Sequence, residues 1–269
     1  MTAHPIREPA VAGLFYPDDA DVLRRTVRAC LDEGRERRER AGAAAAPKAL
    51  IVPHAGYVYS GSIAGSAYAL LLPLREQVRR VVLLGPSHRV ALRGLALSSA
   101  GAWRTPLGDV RLDRAGAALL EALPQVRVLD AAHADEHSLE VQLPFLQETL
   151  GDFSLLPLVA GDATAGEVAQ VLELAWGGDE TLIVVSSDLS HYYDYATAHS
   201  LDRATTAAIE ALRPDGLDEE SACGRVPVRG LLVGAKRHGL RCRTLDLRSS
   251  GDTAGPRDRV VGYGAYAFA

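Results

Sequence analysis

Cysteine is scarce: the chain of 269 residues holds three, Cys30, Cys223 and Cys242. An odd, sparse count is not a disulfide framework, so each thiol has to be explained by packing, metal binding or reactivity. No apolar run approaches the length of a membrane span. The opening stretch MTAHPIREPAVAGLFYP has no basic segment followed by an apolar one, so no secretory leader is read there and a soluble, cytoplasmic protein is expected. Positive charge is not in excess either. With 29 Lys and Arg against 34 Asp and Glu, the net charge is −5, which gives no basic face for nucleic acid. There is no P-loop, no GxGxxG fingerprint, no GxSxG nucleophile elbow and no internal repeat. What remains is an ordinary globular composition, 48% hydrophobic and 23% charged, long enough to bury a full core.

Residues 16–40 read as a helix. Pro17 and two aspartates open it, and Val22, Leu23, Val27, Cys30 and Leu31 fall on one face. That spacing makes Cys30 a core residue. Residues 41–48, AGAAAAPK, read as a helix tail and connector. Beyond them, strands are expected at 49–53, 80–85, 94–99, 155–160, 181–187, 241–248 and 259–268. Helices are expected at 61–72, 113–122, 139–150, 164–176, 197–212 and 227–238. Alternation of helices with unbroken Val, Leu and Ile runs indicates a sheet buried on both faces. The expected fold is α/β, a three-layer α/β/α sandwich around a largely parallel or mixed central sheet. Ligands of such sheets bind beyond the carboxyl ends of the strands.

Three strand ends run into polar residues of metal-ligand or acid–base type. ALIVPHAGY ends on His54, RVVLLGPSHRV on His88, and TLIVVSSDLSHYY on Asp188 and His191. Each histidine alone reads as a satisfied loop or capping residue, and SSDLS alone as Asx-turn material. Their joint placement on neighbouring strand ends is what suggests a site. Asp188 is placed to orient His191 or to act with it as an acid–base pair. HADEHSLEVQLPFLQETL contains His133-x-x-Glu136-His137, a zinc-peptidase spacing, but it straddles a loop and a helix start. A polar loop of Glu136, His137 and Glu140 near the same rim is the better reading. Cys223, in SACGRVPVRGLL, precedes a helix, where the dipole and Arg225 favour a thiolate. A thiolate with imidazoles suits zinc, iron or copper. Tyr57, Tyr59 and Tyr192 are candidates to line the cleft. Cys242 and His4, His133, His199 and His238 read as structural or exposed.

The segments PHAGYVYSG, LLGPSHRV, RTPLGDVRLD, DEHSLEVQLPFL, VVSSDLSHY and CGRVPVRGLL resemble, in that order, the signature segments of the Memo family. Its prokaryotic members are known as AmmeMemoRadiSam system protein B. The likeness runs from REPAVAGLFYP to VVGYGAYAFA, nearly the whole chain. The family is similar in fold to the class III extradiol dioxygenases of the LigB type, which implies one α/β/α domain over residues 1–269. The resemblance implies a metal held by His54, His88 and Cys223, with Asp188, His191 and His137 lining the pocket. Extradiol enzymes use two histidines and a carboxylate; a thiolate in its place makes the metal softer and shifts preference towards copper or zinc. The implied function is a mononuclear, iron- or copper-dependent redox enzyme, dioxygenase-like, acting on a small-molecule or peptide substrate. His191, assisted by Asp188, would be its acid–base group and His137 a substrate hydrogen-bonding group. A zinc-dependent hydrolase and a non-catalytic module binding a peptide or small anion are the alternatives. The resemblance also implies a radical-SAM protein and an AMMECR1-like protein as partners, and no nucleic acid or membrane.

Overall fold

The structure is a computed structural model that describes residues 4–41 and 46–269, the side chains of 38–41 excepted. In chain order the elements are β1 (Ile6–Arg7), α1 (Ala20–Ala41), β2 (Ala49–Val52), α2 (Tyr57–Tyr68), β3 (Arg80–Pro86), β4 (Leu95–Leu97), β5 (Ala102–Thr105), β6 (Gly108–Arg111), α3 (Arg114–Leu120), β7 (Val126–Val128), α4 (Ala131–Ala134), α5 (Leu143–Thr149), β8 (Ser154–Ala160), α6 (Ala165–Ala175), β9 (Thr181–Ser186), β10 (His191–Tyr193), α7 (Tyr195–Glu210), α8 (Arg225–Arg237), β11 (Cys242–Ser249) and β12 (Val260–Phe268).

The main sheet runs β10-β12-β2-β9-β3-β8-β4-β7, with β11 also paired to β12. Its centre, β2-β9-β3-β8, is parallel. The flanks reverse direction: β12 is antiparallel to β2, and β4 to β8. The sheet is therefore mixed. A separate three-stranded sheet, β1-β5-β6, packs the buried Trp103.

The sheet divides the core in two by simple alternation. Leu50, Val52, Val81, Leu83 and Val184 face one layer, built on α1, α2 and α5. Ala49, Ile51, Val82, Leu84, Ile183 and Val185 face the other, built on α3, α6, α7 and α8. Successive strand side chains point to opposite faces, so a strand with apolar residues at every position can only sit between two layers. The three layers are those expected from the sequence.

Several boundaries differ from the sequence expectation. The helix expected at 61–72 starts at Tyr57, and its last turns, Ala69–Leu74, tighten to 3-10 geometry around Pro73. The helix expected at 139–150 opens as a 3-10 turn, Glu140–Gln142, before α5. Strands β1, β5, β6, β7 and β10 have two to four residues each, too few for an alternation to register. The connector expected at 41–48 falls partly on 42–45, outside the described residues. Cys30 packs against the α2 side of the core as its spacing predicts. The two helices touch there at backbone distance, since a Cβ on Gly65 would lie 2.1 Å from the Cys30 carbonyl oxygen.

Candidate functional site

Because β2, β9 and β3 are parallel neighbours, their carboxyl ends reach the same edge of the sheet. His54, Asp188 and His88 each lie two residues past the end of one of these strands. Cys223 comes from the opposite direction. Gly224 caps α8, and its N–H donates to Ser187 Oγ at 3.0 Å. A Cβ on Gly224 would sit 2.6 Å from Ser187 Cβ, so the close approach that delivers Cys223 to the rim needs glycine.

Hydrogen bonds fix which nitrogen of each imidazole is free. The Ser186 hydroxyl gives its hydrogen to the Ser138 carbonyl at 2.6 Å and accepts one from Gln142 Nε2 at 2.8 Å. It can then only accept from His54 Nδ1, 2.9 Å away. The Gln142 amide is itself oriented, donating to the Pro53 carbonyl and accepting from the Tyr68 hydroxyl. The hydrogen of His54 therefore sits on Nδ1. Its Nε2 lone pair faces Cys223 Sγ at 3.3 Å, and the thiol donates to it. His88 is pinned in the same way by Glu136, whose Oε1 is 2.9 Å from Nδ1 and whose Oε2 accepts the His88 backbone N–H at 2.6 Å. His191 Nδ1 donates to the Leu189 carbonyl at 2.8 Å. All three rings thus turn Nε2 outward.

Burial sets the charges. It drives His54 down to about 3, with the charge of His88 adding to the effect. It drives His137 down to about 4, with His54 adding. Both rings are neutral near pH 7, the state in which imidazole binds metal. Glu136 goes the other way: burial alone would raise it, but hydrogen bonds from His88 and Ser138 and the His88 charge hold it at about 2. Asp188 is raised by burial, although its Oδ1 accepts the His54 N–H at 2.7 Å.

His54, His88 and Cys223 each offer one ligand atom, all within 4.8 Å of one another. Bonds of ~2.0–2.3 Å to a tetrahedral ion place donors about 3.3–3.8 Å apart. The His54–Cys223 pair, at 3.3 Å, already meets that spacing. His88, Glu136 and His137 form a second such group that shares His88. The rim opens into a cavity of about 860 Å³ that His54, His88, His137, Asp188, His191 and Cys223 all line. The six residues singled out in the sequence are thus brought together.

The roles expected of these and neighbouring residues differ from the structure at four points. Cys223 is not poised as a thiolate, because burial and the charge of Asp188 push its thiol up, and Arg225 is occupied by Glu219 at 3.0 Å. His191 is oriented by the Leu189 carbonyl, while Asp188 turns its carboxylate to His54. Tyr57 is core, donating to the Val141 carbonyl, whereas Tyr59 and Tyr192 do line the cavity. Glu140 is buried away from the rim and pairs with Arg7 at 2.6 Å. His133 faces Trp103 and the Ala96 carbonyl, so it shares no face with His137 and the zinc-peptidase spacing is incidental. His238 stacks on Trp176, and His199 packs on Tyr195. Sequence reasoning missed Ser186 and Gln142 as the clamp on His54, and Phe15, Arg259, Val261 and Tyr263 as cavity wall. The last three alternate along β12 and its approach, a signal present in the sequence.

A profile described as Memo-like protein matches residues 7–267. The chain belongs to the Memo family. A MEMO1 family protein of Aquifex aeolicus is 36% identical, covering 96% of this chain and 97% of that one. A MEMO1 family protein of Methanopyrus kandleri is 36% identical, covering 97% and 98%. Among solved structures, an uncharacterized protein of Escherichia coli K12 superposes with a TM-score of 0.50 at 14% identity, covering 81% of this chain and 98% of that one. At that identity the likeness is one of fold. In this Memo-family chain the match takes in every rim residue described above.

Proposed function

We propose that this Memo-family protein binds one transition-metal ion, iron or copper, through His54 Nε2, His88 Nε2 and Cys223 Sγ, and is a redox enzyme. One observation carries the reading: two imidazoles are each held through Nδ1, and with the Cys223 sulfur they offer three ligand atoms within 4.8 Å of one another beside the cavity. Outer partners of this kind, a carboxylate on one histidine and a hydroxyl on the other, fix ring orientation and raise ligand basicity. A bound ion would supply electron transfer with coordination positions left for substrate and oxidant.

The chain's own residues do the rest. Cys223 gives up its proton when the metal binds, which the raised thiol makes strongly pH-dependent. His191 has its Nδ1 hydrogen committed to Leu189, so Nε2 is the atom that exchanges a proton with substrate. His137 stacks on His88 with ring centroids 4.7 Å apart and offers a hydrogen bond into the cavity. Asp188 anchors the His54 backbone and so keeps the ring at the rim.

The test is elemental analysis of protein purified without chelator. Iron or copper is expected in the wild type. It should be lost from Cys223→Ala and His88→Ala with unchanged circular dichroism, and retained in His191→Asn. Unchanged metal in the first two variants rejects the assignment. The nitrogen and sulfur donors also suit zinc, which makes a zinc-dependent hydrolase the second reading. Its mark would be zinc as the bound metal and hydrolysis that persists without oxygen.

A further inference from the structure

The cavity has a polarity along its length that the metal-ligand residues do not use. Arg259, Val261 and Tyr263 alternate along β12 and its approach, and all three line the cavity. At ~3.3 Å per residue, the α-carbons of Arg259 and Tyr263 are about 13 Å apart. Tyr263 is the inner end, 2% exposed and close enough to Asp188 for that charge to act on it. Arg259 is the outer end, exposed at the mouth. Val261 lies between them on the same strand face, and Phe15 and Tyr59 add further apolar surface to the lining.

The mouth is built around the arginine. Its guanidinium lies 4.5 Å over the Tyr192 ring. Tyr192 itself has φ of 66°, a left-handed conformation that is costly for an aromatic residue, and the residue is 62% exposed. Stacking of this kind fixes the planar fork before any ligand arrives. No carboxylate among the described residues pairs with Arg259. The three acids of the same lining are engaged elsewhere, Asp188 with the His54 N–H at 2.7 Å, Glu219 with Arg225 at 3.0 Å and Glu220 with the Tyr193 hydroxyl.

We propose that the cavity takes an elongated, largely apolar molecule bearing a single carboxylate, which Arg259 holds at the mouth while the other end reaches the His54–His88–Cys223 rim. Arg259 is then a specificity-determining residue. One guanidinium with two glutamates in the same lining favours a monoanion over a doubly charged phosphate monoester. The inference rests on the redox reading only for what happens at the rim, because recognition at the mouth is separate from it.

The test is calorimetric titration of the full chain as purified with 4-phenylbutyrate, its neutral amide and a phenylalkyl phosphate. The carboxylate should bind about two- to fivefold more tightly than the amide, the range for an exposed ion pair. The preference should vanish in Arg259→Gln and survive in Arg203→Gln, which removes an exposed charge outside the cavity lining. Equal binding of acid and amide, no binding of the acid, or tighter binding of the phosphate overturns the proposal. Metal content is measured on the same samples and should be the same in Arg259→Gln as in wild type. A metal-free wild type would sink the redox reading and leave the charge preference legible.

Discussion

Glu136 and Ser186 perform the same task on opposite sides of the rim, one with a carboxylate and one with a hydroxyl. Each takes the Nδ1 hydrogen of a histidine and leaves Nε2 for a ligand. Removing the charge from one side is therefore expected to weaken metal binding without abolishing it. Glu136→Gln should lower metal affinity about 10- to 100-fold, read by competition with a chelator. A second expectation at this scale concerns acid. His133 is 1% exposed and burial drives it from the usual 6.5 to about 4. His54 and His137 are lowered in the same direction. Below pH 6.5 the unfolded chain takes up protons at these rings that the folded chain refuses, so stability falls as pH falls through 6.5 towards 4. Glu136, held at about 2, adds a loss that begins near its ordinary 4.5. Urea denaturation of the chelator-treated protein should show this slope, and His133→Gln should reduce it.

At the scale of elements, two close approaches and one clasp position the site. Gly65 lets α2 meet α1 at the Cys30 carbonyl, and Gly224 lets α8 meet the end of β9. Gly65→Ala should destabilise the fold by about 1–3 kcal/mol through overpacking, with little effect on the rim. Gly224→Ala should instead reduce metal affinity more than stability, because it moves Cys223 away from His54; equal metal affinity in both variants would contradict this. The clasp is Glu140, which accepts from Arg7 Nη1 at 2.6 Å, the Tyr16 hydroxyl at 2.7 Å, and the N–H groups of Ala10 and Val11 at 2.8 and 3.0 Å. It binds the N-terminal segment to the start of α5 and sets Phe15 against the cavity, its ring 4.7 Å from His137. Glu140→Gln should cost about 3–5 kcal/mol in urea denaturation, since it leaves Arg7 buried without its counter-charge. Elements of this kind were partly legible. The long apolar runs of β3, β8 and β9 announced themselves, whereas two-residue β1 and three-residue β7 and β10 exist only because a neighbouring edge offers hydrogen bonds. Glu140 looked like a rim residue because it is near His137 in sequence, but its carboxylate is taken up by Arg7, Tyr16 and the backbone of Ala10 and Val11, partners from the distant N-terminal segment.

For the whole molecule, the rim is a property of the sheet rather than of any segment. His54, His88 and Asp188 are 34 to 134 residues apart in sequence and meet because β2, β9 and β3 run parallel and in register. A site carried by strand ends would exist before the proposed ion arrives. Metal removal should therefore lower the melting temperature while the far-ultraviolet circular dichroism at 25 °C stays the same, the loss being of ligand linkage, about 4 kcal/mol at a thousandfold excess over Kd. Collapse of secondary structure on chelation would contradict a preformed rim. The sequence by itself determined the layers and the membership of the site, because strand periodicity and strand-end chemistry are local properties that each segment carries. Tertiary structure alone decided the tautomers, the thiol rather than thiolate state of Cys223, and the charged mouth at Arg259. Those depend on burial and on hydrogen-bond partners brought from distant segments, which no local pattern encodes.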